Sequence, residues 1–191
     1  MTETSGYDAV VLAGGRASRF GGDKLAVTVD GATLLDRVLT ATAGADRTVV
    51  VGPARRTVRP VRWTREHPAG SGPAQAVAAA LRLLPGPVDR LVVVVAGDLP
   101  YVDGGTVARL HRGLATRSSA DGALLIDDVG RLQLLCGLWR RAGLDRALGR
   151  RRDWSDASVR SLLGELEAVE VPARAGETHD VDTPEDVPSG P

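Results

Sequence analysis

The run Arg90-Leu91-Val92-Val93-Val94-Val95-Ala96 constrains the fold of this chain more than any other segment. It has no polar alternation, so a strand built from it must be buried on both faces, as at the centre of a parallel sheet covered by helices. The remaining sequence alternates in the same sense. Apolar runs predict strands over 8–13, 48–51, 58–63, 90–96, 122–126, 132–138 and 168–171, and helical patterns fall at 33–42, 73–84, 105–116, 140–148 and 157–166. Together they predict a single doubly wound α/β domain of Rossmann-like type with a mostly parallel central sheet. With no internal repeat and no long linker, the domain is expected over residues 1–187, with 188–191 as a frayed tail. Sheets of this kind take ligands beyond the carboxyl ends of their strands. The segments that follow residues 12, 51 and 96 all fall at such ends.

The 191 residues suffice for one core. Lys plus Arg and Asp plus Glu balance at 24 each, which offers no support for a nucleic-acid or membrane surface. A single cysteine, Cys136, excludes an intramolecular disulfide framework and a cysteine zinc cluster. Within Leu134-Leu135-Cys136-Gly137-Leu138 it reads as a small buried hydrophobe. The sequence shows no basic-then-apolar leader pattern and no apolar run approaching ~18 residues, so a cytoplasmic protein is expected.

The first predicted strand runs straight into Leu12-Ala13-Gly14-Gly15-Arg16-Ala17-Ser18-Arg19-Phe20-Gly21-Gly22-Asp23-Lys24. Four glycines in nine residues let the backbone come close to a ligand without a Cβ in the way. Backbone N–H groups together with Arg16, Arg19 and Lys24 are what a polyphosphate needs. Lys24 is the only lysine in the chain, which makes its place in this loop more telling. The motif is no Walker A, because Lys24 is followed by Leu25, and no dinucleotide fingerprint, because no G-x-G-x-x-G opens a helix.

The pattern L-A-G-G-x-x-S-R-[FM]-G-x-D-K resembles the signature loop of the MobA-like nucleotidyltransferases, and within them the molybdenum cofactor guanylyltransferase branch. Gly97-Asp98-Leu99-Pro100, just past the central strand, resembles the family's metal aspartate motif. The alternative for Asp98 is a cap on the helix that begins near Asp103. Glu66-His67-Pro68-Ala69-Gly70-Ser71-Gly72-Pro73 resembles the family's glycine-rich turn beside the nucleotide base. His67 stands where relatives carry an acid, unless the register moves by one and Glu66 takes that role. Asp180-Val181-Asp182-Thr183-Pro184-Glu185-Asp186 resembles the family's C-terminal motif, with Asp182 where many relatives carry Asn. Thr183-Pro184-Glu185-Asp186 is also a plain helix start.

The resemblance implies transfer of GMP from GTP to a phosphorylated acceptor of the molybdopterin or molybdenum-cofactor kind, with release of pyrophosphate. It implies nucleotide contacts from Leu12, Ala13, Gly14, Gly15, Gly21, Gly22, Lys24, Glu66, His67, Gly72, Pro73 and Asp98. Arg19, Lys24 and Asp98 carry the catalysis in this reading, with Mg²⁺ held by Asp98 and by Asp182 or its neighbour Asp180. Each cation aimed at the developing phosphate charge is worth ~2.7–4 kcal/mol of transition-state stabilisation. Expected partners are the small-molecule substrates and, transiently, other proteins that handle the same cofactor. Two rivals stay open. One is a CTP-dependent cofactor cytidylyltransferase, or an enzyme acting on a phosphosugar, phospholactate or isoprenoid precursor. The other is a non-catalytic nucleotide-binding subunit.

Arg150, Arg151 and Arg152 form a basic cluster beside Trp154. The cluster reads either as the solvated C-terminal turn of a helix or as a loop that receives the acceptor phosphate. Trp154 either packs or stacks on a flat pterin. His111 and His179 stand alone, without metal-ligand spacing.

Overall fold

The computed structural model describes residues 6–14, 22–181 and 183–187. In chain order the elements are β1 (Tyr7–Leu12), β2 (Thr28–Val29), β3 (Ala32–Thr33), α1 (Leu34–Ala41), β4 (Arg47–Val51), β5 (Arg62–Thr64), α2 (Pro73–Arg82), β6 (Leu91–Ala96), α3 (Gly104–Ala115), β7 (Gly122–Ile126), β8 (Leu132–Arg140), α4 (Arg141–Leu148), α5 (Val159–Leu163) and β9 (Ala168–Pro172). Short 3-10 turns lie at Lys24–Ala26 and Pro184–Asp186.

Seven strands form one sheet in the order β5-β4-β1-β6-β8-β7-β9, and β2 pairs with β3 in a separate hairpin. Only β8 runs against the others, antiparallel to both β6 and β7. β6 is the doubly covered strand its sequence demands. Val93 and Val95 enter the core with α1 and α3, while Val92 and Val94 enter the core with α2, α4 and α5. β1 divides in the same way, Ala9 and Val11 to one side and Val10 and Leu12 to the other. A strand's period of two therefore turns one continuous apolar run into two cores.

The helices follow their local signals. Thr33 caps α1 through its side chain, and Asp103 with Thr106 forms a capping box on α3. Pro73 opens α2 directly after Gly72. The expected strand over 58–63 shrinks to β5. Pro60 offers no ladder donor, and Arg59 instead donates to the carbonyls of Leu39 and Thr42 and to the Thr48 hydroxyl. The helix expected over 157–166 is confined to α5, which Gly164 follows. The two-residue turn Asp30-Gly31, with both φ values positive, closes the β2–β3 hairpin that the strand pattern did not include.

At the amino ends of the central strands, the fully buried Asp8 carboxylate is gripped by two guanidiniums. Arg47 donates at 3.0 and 2.6 Å and Arg90 at 3.2 and 2.9 Å. Burial alone would raise the Asp8 pKa, but the hydrogen bonds and charges of Arg47 and Arg90 outweigh it and hold it below the ordinary carboxylate value.

Candidate active site

The opposite, carboxyl ends of β4, β1 and β6 frame a cleft of about 600 Å³. Its walls include Leu12 and Gly14 after β1, Gly52 and Pro53 after β4, and Asp98 after β6; Glu66, Gly72 and Pro73 close it from the α2 side. The chain turns from one half of the sheet to the other between β1 and β6, so the cleft sits at the topological switch point.

Three close backbone approaches set its floor. Gly97 N–H donates to Leu12 O at 2.9 Å, and Ala13 N–H donates to Val51 O at 2.8 Å. Gly52, at φ +152, brings its backbone so near β1 that a Cβ there would lie 2.4 Å from Ala13 O. Asp98 lines the cleft, and Lys24 Nζ, itself not among the lining residues, meets Asp98 Oδ2 at 2.6 Å, with both side chains under one-fifth exposed. Lys24 opens its 3-10 turn, which is capped by Asp23. Asp103 supplies the cap on α3, which leaves Asp98 to the cleft.

Other residues flagged in the sequence are placed as follows. Glu66 lines the cleft, and its Oε1 accepts from Gly70 N–H at 2.8 Å. The His67 side chain is exposed and is not among the cleft-lining residues; its carbonyl accepts from Gln75 Nε2 at 3.1 Å. α2 begins at the cleft behind Gly72, with no side chain capping its first N–H groups. Gly15, Arg19, Gly21, Asp182 and residues 188–191 lie outside the described residues. The segment that leads to Asp182 is delivered to the site, because Val181 N–H donates to Asp98 O at 3.2 Å and Val181 is fully buried. Thr183 N–H and Oγ1 both donate to Asp186 Oδ2, and the expected helix start is reduced to the single 3-10 turn Pro184–Asp186, with the Thr183 hydroxyl donating rather than accepting as a cap would.

The arginine cluster is not brought to the cleft. Arg150 pairs with Glu165 and donates to the carbonyls of Ser161 and Leu162 at the end of α5. Arg151 lies over the Trp154 ring, 5.1 Å from its centroid. Arg151 and Arg152 line a second, smaller hollow of about 240 Å³ between α2 and α4. Trp154 itself is buried and donates from Nε1 to Leu148 O at 3.1 Å, so its ring is a packing element. Burial raises the Cys136 thiol to about 12, which leaves it inert as a nucleophile. His111 is half-buried edge-on to Tyr7, and burial lowers its pKa. His179 Nε2 lies 3.2 Å from Asp186 O.

Three charged groups at or beside the site, and a fourth, Glu177, that anchors the C-terminal segment, carried no signal in the sequence pattern. Arg65 and Asp156 line the cleft, and Asp156 adopts φ +57 with its N–H donating to Ser71 O at 2.7 Å. Arg55 bonds Asp23 and Ala13. Glu177, buried, accepts from Thr106 Oγ1, Arg109 and Arg174 N–H and so ties the C-terminal segment to α3. Its burial raises its pKa, but these bonds more than offset that and lower it overall.

Residues 9–170 match the sequence model of the family described as the MobA-like NTP transferase domain. A protein of Opitutus terrae named "Probable molybdenum cofactor guanylyltransferase" is 34% identical over 112 residues, covering 56% of this chain and 55% of that protein. A "Molybdenum cofactor guanylyltransferase" of Sinorhizobium fredii is 33% identical over 154 residues, covering 72% of this chain and 65% of that protein. The alignments thus span between half and two-thirds of these relatives. The crystal structure of molybdopterin-guanine dinucleotide biosynthesis protein A from Archaeoglobus fulgidus superposes with a TM-score of 0.68 at 22% identity, covering 94% of each chain. At that identity the likeness speaks for the fold.

Proposed function

The chain belongs to the MobA-like NTP transferase family, and on that premise we propose that it is a guanylyltransferase, moving GMP from GTP to a phosphorylated acceptor of the molybdenum-cofactor class. The observation that carries this reading is Asp98 in the wall of the switch-point cleft with Lys24 paired to it at 2.6 Å. A cation that directly follows a glycine-rich stretch in the sequence and a hard carboxylate at its side, with an uncapped helix N-terminus at the same cleft, suit a triphosphate. The names of the two relatives supply the guanylyl donor and the acceptor class.

In this reading an oxygen of the acceptor phosphate attacks the α-phosphorus in line. A new O–P bond forms, the α–β bridging bond breaks, and pyrophosphate leaves with the bonding electron pair. The attacking phosphate is already anionic, so no side chain need remove a proton. Lys24 donates to phosphate oxygens whose charge grows in the transition state, and Arg19 is proposed to do the same. Gly14, Gly15, Gly21 and Gly22 carry no Cβ to keep the phosphates away. Glu66, Gly72 and Pro73 wall the base end, and the exposed His67 side chain takes no part in it.

A divalent cation fits the donor chemistry at Asp98. The carboxylate opens into the cleft, already holds a cationic neighbour, and leaves the remaining oxygen ligands to the nucleotide phosphates. Asp98, with Asp182 as the proposed second ligand, would hold Mg²⁺, which when bound neutralises phosphate charge. The test is pyrophosphate release from GTP, CTP, ATP and UTP in Mg²⁺, with and without molybdopterin. Acceptor-dependent release with GTP ranked first supports the reading. CTP ranked first moves the chain to a cytidylyl activity, and no release from any nucleotide refutes transfer.

A further inference from the structure

We infer that Arg55 is a positioning residue, clamping both feet of the glycine loop so that Lys24 is held at the reacting phosphates. The inference rests on the nucleotidyl-transfer reading above. Arg55 lies in the loop after β4. Its Nε and Nη2 grip the two Asp23 oxygens at 2.6 and 2.9 Å, and its Nη1 donates to Ala13 O at 3.1 Å and to Pro53 O at 2.8 Å. Ala13 is the residue where the glycine stretch leaves β1, and Asp23 is the residue where it ends. One planar guanidinium therefore spans the loop's entry and exit.

The next residue after Asp23 is Lys24, set against Asp98. Gly14, Gly15, Gly21 and Gly22 lie between these feet, and a catalytic cation that directly follows such a stretch needs a fixed base. Folding alone is a weak reason for the arrangement: Arg55 is 18% exposed but Asp23 is 43% exposed, so water screens the pair and reduces what it adds to stability. Geometry does account for it, since a bidentate fork fixes orientation as well as distance. Arg55 lowers the Asp23 pKa, consistent with a pair that stays ionised. A lysine at this position would keep the charge and lose the fork.

The experiment compares Arg55→Ala, Arg55→Lys, Asp23→Asn and the Arg55→Ala/Asp23→Asn double variant. Readouts are kcat and GTP KM from pyrophosphate release, thermal unfolding, and amide hydrogen exchange over residues 13–27. A loop displaced by about 1 Å predicts kcat losses of roughly 10–100-fold in each single variant. GTP KM should stay within about threefold, as for a contact that acts on the transition state. Unfolding temperature should hold within about 2 °C, and exchange over 13–27 should quicken. The double variant should be no slower than the worse single, because both changes open the same clamp. Full activity in Arg55→Ala or Arg55→Lys, multiplying losses in the double variant, or unchanged exchange would each overturn the inference. Absence of turnover in the parent protein would instead refute the functional reading, and the exchange comparison would still decide whether the clamp exists.

Discussion

Replacing Gly52 by alanine should damage both folding and turnover, and the structure sets the size of each effect. A Cβ at this position meets Ala13 O at 2.4 Å, Ala13 C at 2.6 Å and Gly14 N at 2.9 Å, about 0.5–1 Å inside the 3.4 Å where ordinary contact begins. All three are backbone atoms, so no side chain can swing away. The φ of +152 is itself poor for an L-residue. Strain of about 1–3 kcal/mol, plus a weakened Ala13–Val51 hydrogen bond, gives about 2–4 kcal/mol in total. For a domain of this size that is a fall of about 4–16 °C in unfolding temperature. The displaced backbone is the start of the glycine loop proposed to hold phosphate, and a shift of about 1 Å there predicts a turnover loss of about 10²-fold. Gly31→Ala is the control. Gly31 also has positive φ, at +79, but a Cβ there meets nothing within 4 Å and the residue lies outside the cleft. It should cost about 1 kcal/mol and leave kcat unchanged. Circular dichroism melts and pyrophosphate release measure both. Gly52→Ala with a melting point within 1 °C of the parent and kcat within a few-fold would refute the reasoning, as would an equal activity loss in Gly31→Ala.

Lys24→Ala should lower kcat by roughly 10²–10³ in a folded protein; activity within a few-fold of the parent would remove Lys24 from the chemistry. Asp98→Asn keeps the side chain's size and removes its charge, so calorimetric GTP affinity should lose its dependence on Mg²⁺ and turnover should nearly vanish. Affinity that still rises with Mg²⁺ in this variant would place the metal elsewhere. Asp8 has a lowered folded-state pKa, so the unfolded chain takes up its proton at higher pH than the folded chain does. Its stabilisation is complete above the ordinary value of 3.8 and disappears as pH falls through the depressed folded value. Melting temperature should therefore hold steady from pH 7 to 5 and drop below about pH 4. Asp8→Asn breaks a buried pair, a loss of ~3–5 kcal/mol, placed at the low end because Arg47 is 41% exposed and can turn to water. A variant as stable as the parent at pH 7 would show that the network adds nothing.

Local physics made much of the fold legible. β6 declared itself by an unbroken apolar run, α1 and α3 by Thr33 and Asp103 at their caps, and α2 by Pro73 at its first position. These signals act within a few residues, so a linear reading captures them. Asp98 was legible for the same reason, as an acid two residues past the end of the central strand. The Asp30-Gly31 turn was equally local and its dipeptide was available to be read, but strands of two residues leave no periodicity to anchor it. The arginines at 150–152 show the reverse case. Their charge is plain in the sequence, yet Arg150 is taken up by Glu165 and the α5 carbonyls, and Arg151 by Trp154.

The sequence by itself determined a mostly parallel, doubly covered sheet, a glycine-rich segment after its first strand, and a cation and a carboxylate, Lys24 and Asp98, that the structure pairs at the carboxyl ends of the strands. Tertiary structure alone decided which strands adjoin, and with that which distant charges meet. The parallel register that sets Leu12 beside Val51 carries Gly52 against Ala13 and brings Arg55 within reach of Asp23, 32 positions away. Val181 likewise reaches Asp98 only because the C-terminal segment folds back along α3 under the grip of Glu177. In a chain whose cations are arginine at every position but one, no local pattern distinguishes the arginine that clamps a loop from one that faces water. The distinction depends on distance through space, which the order and register of the strands create.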